Sequence, residues 1–302
     1  MKWTLRNLLA YFMAKAIIFS GRVNRAKSDA LHGKFMLSVY FHNPTKEEFE
    51  FVVNWLKKNG FKVLHMEEFQ DLLEKKSPIP PGAALLTVDD GWASNMTNMA
   101  TVAEKEKVPI TIFIATEAIE EGNFWFNYAK KAVKDGHNYP TSEQMKKLSN
   151  ADRLTMLQKI KEDVTLPREA MTEANIRQLG KSKYVCIGAH SHSHPILINC
   201  NSEELEKEIN LSKEKLEQWT GNEILTFAYP NGDYGPREEL ALNNAGFKIG
   251  FANNPARLTE SAWESPFRIP RTGFLEGASK AENICRLVGV WHDSTLKLFK
   301  KK

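Results

Sequence analysis

Three observations predict an α/β architecture, a parallel sheet or an α/β barrel. Short, continuously apolar, β-prone runs recur along the chain, and stretches with apolar residues at three-to-four spacing separate them. Polar, reactive residues cluster at the C-terminal ends of those runs, where such folds carry their active sites. Of the 302 residues, 42% are hydrophobic and 26% charged, which excludes wholesale disorder. A chain of this length buries a sizeable core without disulfides. Forty-one Lys and Arg against 37 Asp and Glu leave +4, too mild and too evenly spread for a nucleic-acid partner. Cys186, Cys200 and Cys285 are odd in number with no CxxC spacing, so neither a disulfide framework nor a cysteine zinc site is expected. That usage fits a reducing, cytoplasmic compartment.

Residues 1–30 read as an N-terminal amphipathic helical segment, with Leu5, Leu9, Phe12, Ala16 and Phe19 at helical spacing. The uncharged run Asn7–Ala14 stops at Lys15, short of the roughly 20 apolar residues of a membrane span. Packing on the domain is the first expected use of this helix. Peripheral contact with the inner membrane face is the second, helped by Lys297, Lys300, Lys301 and Lys302. Residues 31–302 form the main domain. Its strands are Phe35–Phe41, Phe61–Leu64, Ala83–Val88, Ile110–Ala115, Tyr184–Gly188, Ile224–Ala228 and Lys248–Phe251. Helices fall over Lys46–Asn59, stopped by Gly60, and over Glu67–Lys75 and Asn95–Glu106; a further helical stretch covers Asn283–Phe299. Residues 116–183 are polar and helical, an insertion whose apolar content is too thin for a core of its own.

Four clusters follow strands. Thr87-Val88-Asp89-Asp90-Gly91 sets two carboxylates before a glycine turn, which alone is an ordinary solvated turn. Gly188-Ala189-His190-Ser191-His192-Ser193-His194-Pro195 holds three of the eight histidines, and Pro195 keeps His194 out of a helix. Two neutral imidazoles and a carboxylate are a catalytic zinc-type donor set with a position left for water. His192 alternates with the other two and is a spectator. Phe227-Ala228-Tyr229-Pro230-Asn231-Gly232-Asp233 is a rigid loop whose Asn231 amide can serve as an oxyanion donor. His42 ends the strand FMLSVYF and is fixed by Asn43-Pro44.

TVDDG, GAHSHSHP and FAYPNGDY, in that order, resemble the polysaccharide deacetylases of carbohydrate esterase family 4, the NodB-homology domain. The stretch VYFHNPTKEEFEFVVNWLKKNGFKVLHMEEF is similar to the poly-N-acetylglucosamine deacetylase-like branch, whose catalytic histidine precedes the aspartates. The resemblance spans about Phe35 to Phe274. It implies a distorted (β/α) barrel with fewer than eight complete units and metal-dependent hydrolysis of N-acetyl groups. By the same resemblance Asp89 is the general base, and Asp90, His190 and His194 are ligands of one divalent ion, zinc first, with cobalt or nickel as substitutes. His42 is the general acid, and the Asn231 amide helps hold the oxyanion. Ala228 stands where many members have arginine. Arg271, with Arg268 as competitor, would orient Asp89.

Such an ion polarises the amide carbonyl and activates water, and a histidine suits amine protonation near neutral pH. Trp125 and Tyr229 are candidate substrate contacts, with core filling as the alternative for Trp125. His292 is the rival acid, on a helical stretch and not at a strand end. The substrate implied is an acetylated glycan: a polysaccharide, an O-antigen or a lipid-linked precursor. The competing readings are a carbohydrate-binding protein without catalysis and a hydrolase of a non-sugar amide.

Overall fold

Ala83–Val88 is six buried residues in a row, and the sheet is assembled about it. The computed structural model describes residues 4–292. The strands are β1 (Leu37–Phe41), β2 (Lys62–Val63), β3 (Ala83–Val88), β4 (Ile110–Ile114), β5 (Val185–Ala189), β6 (Thr226–Ala228), β7 (Ile249–Phe251) and β8 (Thr272–Gly273). They lie in the order β7-β6-β5-β4-β3-β1-β8, all parallel, with β2 on the start of β3. Ile269 bridges to Phe251, and shortly afterwards β8 pairs with β1, so one stretch spans the gap between the sheet's two edges. The result is the expected distorted (β/α) barrel.

The helices are α1 (Leu5–Phe19), α2 (Arg22–Leu31), α3 (Lys46–Lys58), α4 (Met66–Glu74), α5 (Thr101–Glu106), α6 (Thr116–Glu121), α7 (Trp125–Lys134), α8 (Ser142–Met145), α9 (Asn150–Asp163), α10 (Glu173–Leu179), α11 (Ser202–Thr220), α12 (Pro236–Asn244) and α13 (Lys280–Leu287). Caps follow the local sequence. Thr45 and Asn201 each form a capping box with a glutamate three residues on, opening α3 and α11.

Strand alternation sorts the core into two layers. Ala84, Leu86 and Val88 face the outer helices, while Ala83 and Leu85 join an inner cluster with Phe113, Ala228, Phe251 and Ile269. Met66, Phe69 and Leu73 of α4 belong to that inner cluster too. The period of two that turns Leu85 inward also turns Thr87 and Asp89 inward, one step and two steps along the barrel. The site is thereby placed above the inner apolar layer.

Three expectations need correction. The N-terminal segment is two helices broken at Gly21, whose φ of 77° is a conformation glycine adopts without steric cost. The face of α1 that packs is Ala10, Ala14 and Ile17, while Leu5, Leu9, Phe12 and Phe19 point to solvent. Small side chains let α1 lie close on its neighbours, and the large ones are left outside. The 116–183 segment does have an apolar cluster of its own: Trp125, Ala129, Ala132, Met145, Leu157, Ile160 and Val164. The C-terminal helix begins earlier than expected and ends at Leu287, with Gly289 at φ 70°. The remainder of that stretch, with Lys297, Lys300, Lys301 and Lys302, lies outside the described residues.

Candidate active site

Register brings the first two motifs together. Phe41 pairs with Val88, and the Asp89 N–H donates to the Phe41 carbonyl at 2.8 Å, so His42 and Asp89 leave adjacent strands side by side. Strand β2 intervenes in sequence only. The loop after β3 is anchored in turn to the His42 segment: Asn95 Nδ2 donates to the His42 carbonyl at 2.9 Å and Asn98 Nδ2 to that of Pro44 at 3.0 Å. Between them the helix opens with a π turn, Met96–Ala100, where helical continuity was expected. Such turns are frequent beside functional sites. The Glu276 carboxylate accepts the N–H groups of both His42 and Asn43.

Asp90, His190 and His194 converge. Asp90 Oδ1 lies 3.6 Å from His190 Nε2 and 3.3 Å from His194 Nε2. One donor atom from each lies within 4.8 Å of the others, a spacing that could hold a metal ion. His190 Nδ1 is 2.7 Å from the Ala228 carbonyl, which fixes that nitrogen as the N–H and leaves Nε2 its lone pair. Trp92 Nε1 donates to Asp90 Oδ2 at 2.9 Å, so the carboxylate turns its other oxygen to the histidines. His192 points away, its Nδ1 2.8 Å from Thr116 Oγ1. The donor set and its supports fit a divalent ion with an open position.

Asp89 has a different partner. Arg271, fully buried, grips both its oxygens at 2.7 and 2.8 Å and also donates to Thr87 Oγ1 and Asn253 Oδ1. Arg268, the rival, pairs instead with Glu239 on the surface. Burial pushes the Asp89 carboxyl up, but the Arg271 and His190 charges outweigh it and hold the group below its usual range. For Asp90 burial is likewise opposed, here by bonds to His190 and His194, and the carboxyl lies well below. Burial lowers both imidazoles. It prevails at His194, whereas the two aspartates hold His190 above its ordinary value.

Four of the six non-glycine residues with positive φ are Asp90, Ser191, His194 and Asn231. Strained backbone thus collects in the three motif loops, as it does where a site is held by its surroundings. Asn231, at φ 60°, borders the same cleft of about 400 Å³ as His42, Asp89, Asp90, His190 and His194. His292 does not line it.

The two predicted substrate contacts are corrected. Tyr229 is fully buried beneath the Asn231 loop, stacked on Tyr234, and does not border the cleft. Trp125 borders it with only 3% exposure; its indole N–H donates to the His194 carbonyl at 2.8 Å. It supports a histidine and offers no open face to a sugar. Sequence reasoning missed Trp92, Arg153, Glu208, Asn253 and Glu276. Trp92 could have been found from its place directly after the DDG turn; the others had no local signal.

The comparisons agree with this geometry. A family model described as polysaccharide deacetylase matches residues 76–250, more than half of the chain. YxkH of Bacillus subtilis (strain 168), whose name assigns it provisionally to the polysaccharide deacetylases, is 22% identical over 211 residues, which are 70% of this chain and 58% of that protein. The chain therefore matches less than two thirds of that relative's length. The poly-beta-1,6-N-acetyl-D-glucosamine N-deacetylase of Staphylococcus aureus (strain MRSA252) is 23% identical over 250 residues, 77% of this chain and 71% of that one. Among solved structures, IcaB from Ammonifex degensii superposes with a TM-score of 0.61 at 16% identity, covering 86% of this chain and 97% of that one. With the motifs in family order, the fold matched and the family model spanning residues 76–250, the chain belongs to the polysaccharide deacetylase family, and its similarity runs to the poly-N-acetylglucosamine deacetylase-like branch.

Proposed function

We propose that the chain is a metal-dependent hydrolase that removes the N-acetyl group from an acetamido sugar of a larger glycan. The observation that carries the reading is the split between the paired aspartates. Asp90 faces two imidazole nitrogens, and Asp89, one residue away, sits in the fork of a buried arginine, with both bordering one cleft. Asp90, His190 and His194 would hold the ion, which when bound polarises the amide carbonyl and acidifies water.

The remaining roles belong to the chain's own groups. Arg271 keeps Asp89 ionised and oriented, and a carboxylate in that fork still has lone pairs free to take a proton from the attacking water. His42, held by Glu276 through its backbone, gives a proton to the departing amine. The left-handed turn at Asn231 presents its backbone amide to the carbonyl oxygen as negative charge develops there.

Acetate release from acetylated amino sugars, with and without chelation, tests the reading and separates it from a binding-only protein. Asp89→Asn keeps the bound metal and loses about 10²- to 10⁴-fold in rate. Asp90→Asn loses the metal itself. Equal metal loss in both variants, or full activity after chelation and dialysis, overturns the assignment.

A further inference from the structure

A second cavity, about 940 Å³, opens beside the catalytic cleft, and Asn43 and Glu276 line both. Its walls are Leu8, Tyr11 and Phe12 of α1, Phe51 of α3, and Phe274 and Ala278 before α13. The polar groups at its edge are mostly occupied. Glu276 accepts two backbone N–H groups, Glu48 accepts the Gly277 and Thr45 N–H groups, and the Lys280 ammonium lies 5.1 Å from the Phe51 ring centroid. Volume and apolar lining are those of a pocket for an apolar ligand. Beyond its rim the outer face of α1 continues the apolar surface, with Leu5 75% and Leu9 and Phe12 each 62% exposed. No described helix is long and apolar enough to cross a membrane.

Resting on the deacetylase reading of the cleft, we infer that this groove takes the hydrocarbon chain of a lipid-linked acetamido sugar. The sugar occupies the catalytic cleft, and the chain passes Asn43 and Glu276 to lie against α1. Continuity with the cleft argues for this occupant, because whatever fills the groove is joined to what is being hydrolysed. The chemistry of the wall argues the same way. Further sugar units would need hydrogen-bonding groups for their hydroxyls, whereas Leu8, Phe12, Phe51 and Phe274 provide none. The exposed leucines of α1 would then face the lipid surface in which the substrate is embedded.

The test compares dodecyl and methyl glycosides of N-acetylglucosamine, with binding of a dansyl-labelled undecanoate probe measured separately. The dodecyl glycoside should be favoured by about ten-fold in kcat/KM, equivalent to 1.4 kcal/mol, with the gain in KM. Phe12→Glu should abolish both that preference and probe binding, leaving methyl-glycoside turnover unchanged. Leu8→Gln is the milder second variant, and thermal melts check that both fold. Equal kcat/KM for the two glycosides, or a preference that survives both substitutions, overturns the inference. So does a water-soluble acetylated oligosaccharide whose KM rises with the same substitutions. Probe binding lost in Phe12→Glu but with neither glycoside hydrolysed by the wild type supports the groove and sinks the deacetylase reading instead.

Discussion

Asp89 and Asp90 are neighbours in the chain with opposite tasks, and the difference comes from what each faces. The inward turn of β3 delivers Asp89 to Arg271, while a positive φ of 81° swings Asp90 toward the histidine loop. His42 shares the cleft with both, and His292 does not border it. His42→Ala should therefore abolish acetate release while metal content stays at the wild-type level, and His292→Ala should be nearly silent. The reverse pattern in parallel rate and metal measurements would move the acid to the C-terminal segment. These roles were legible because TVDDG and HSHSHP are compact motifs at strand ends. Tyr229 and Trp125 were misread for a related reason: an aromatic residue in a motif loop signals apolar area, and sequence does not say whether that area faces a ligand or a core. Here both face inward.

At the scale of elements, the 116–183 insertion acts on the ligand loop as well as beside it. Arg153 of α9 is buried; it donates to Ser193 Oγ at 2.7 Å and to the Ser193 carbonyl at 3.3 Å, and lies 5.5 Å from the Trp125 ring centroid. Glu208 of α11 completes the clamp, accepting from the N–H of His192, the N–H of Ser193 and the Ser193 hydroxyl. A loop carrying His190 and His194 is thus held from two helices, one of them in the insertion. Arg153→Met should cost about 2–4 kcal/mol of stability, since it strips a buried polar network of its cation. Metal affinity, read by competition with a chelator, should fall roughly ten-fold or more, as it does when groups supporting a ligand are lost. Unchanged affinity in a destabilised variant would reduce Arg153 to a packing residue. None of this was readable in advance, because Arg153 and Ser193 are far apart in sequence and the insertion's apolar residues are dispersed among charges.

For the whole molecule, the parallel sheet was legible wherever a strand is buried on both faces. Ala83–Val88 agrees at both ends because an uninterrupted apolar run stops at Asp89. Less was legible where packing selects among apolar residues, as on α1, whose small side chains are buried in place of its large ones. Charges enclosed between elements are hidden in the same way, and one of them sets a pH dependence for the folded state. Glu117 of α6 is half-buried where α6 meets the His192 loop, and its surroundings include Glu121, Lys161 and Arg153 of α9, and Glu208 of α11. Burial, reinforced by Glu121, pushes its carboxyl up from 4.5 to about 7. Below 4.5 the group is protonated whether the chain is folded or not, and its contribution to stability is fully present. As pH rises the unfolded chain ionises first, and through about 7 the folded chain must accept a charge where it is disfavoured, so that contribution is lost. Glu117→Gln should remove this slope, raising stability near pH 8 by on the order of 2 kcal/mol with little change near pH 4. Thermal melts across that range, in the presence of chelator so that metal release does not contribute, should show the variant several degrees above wild type at the alkaline end only. Parallel pH profiles for the two proteins would mean that Glu117 ionises as freely in the fold as it does outside it.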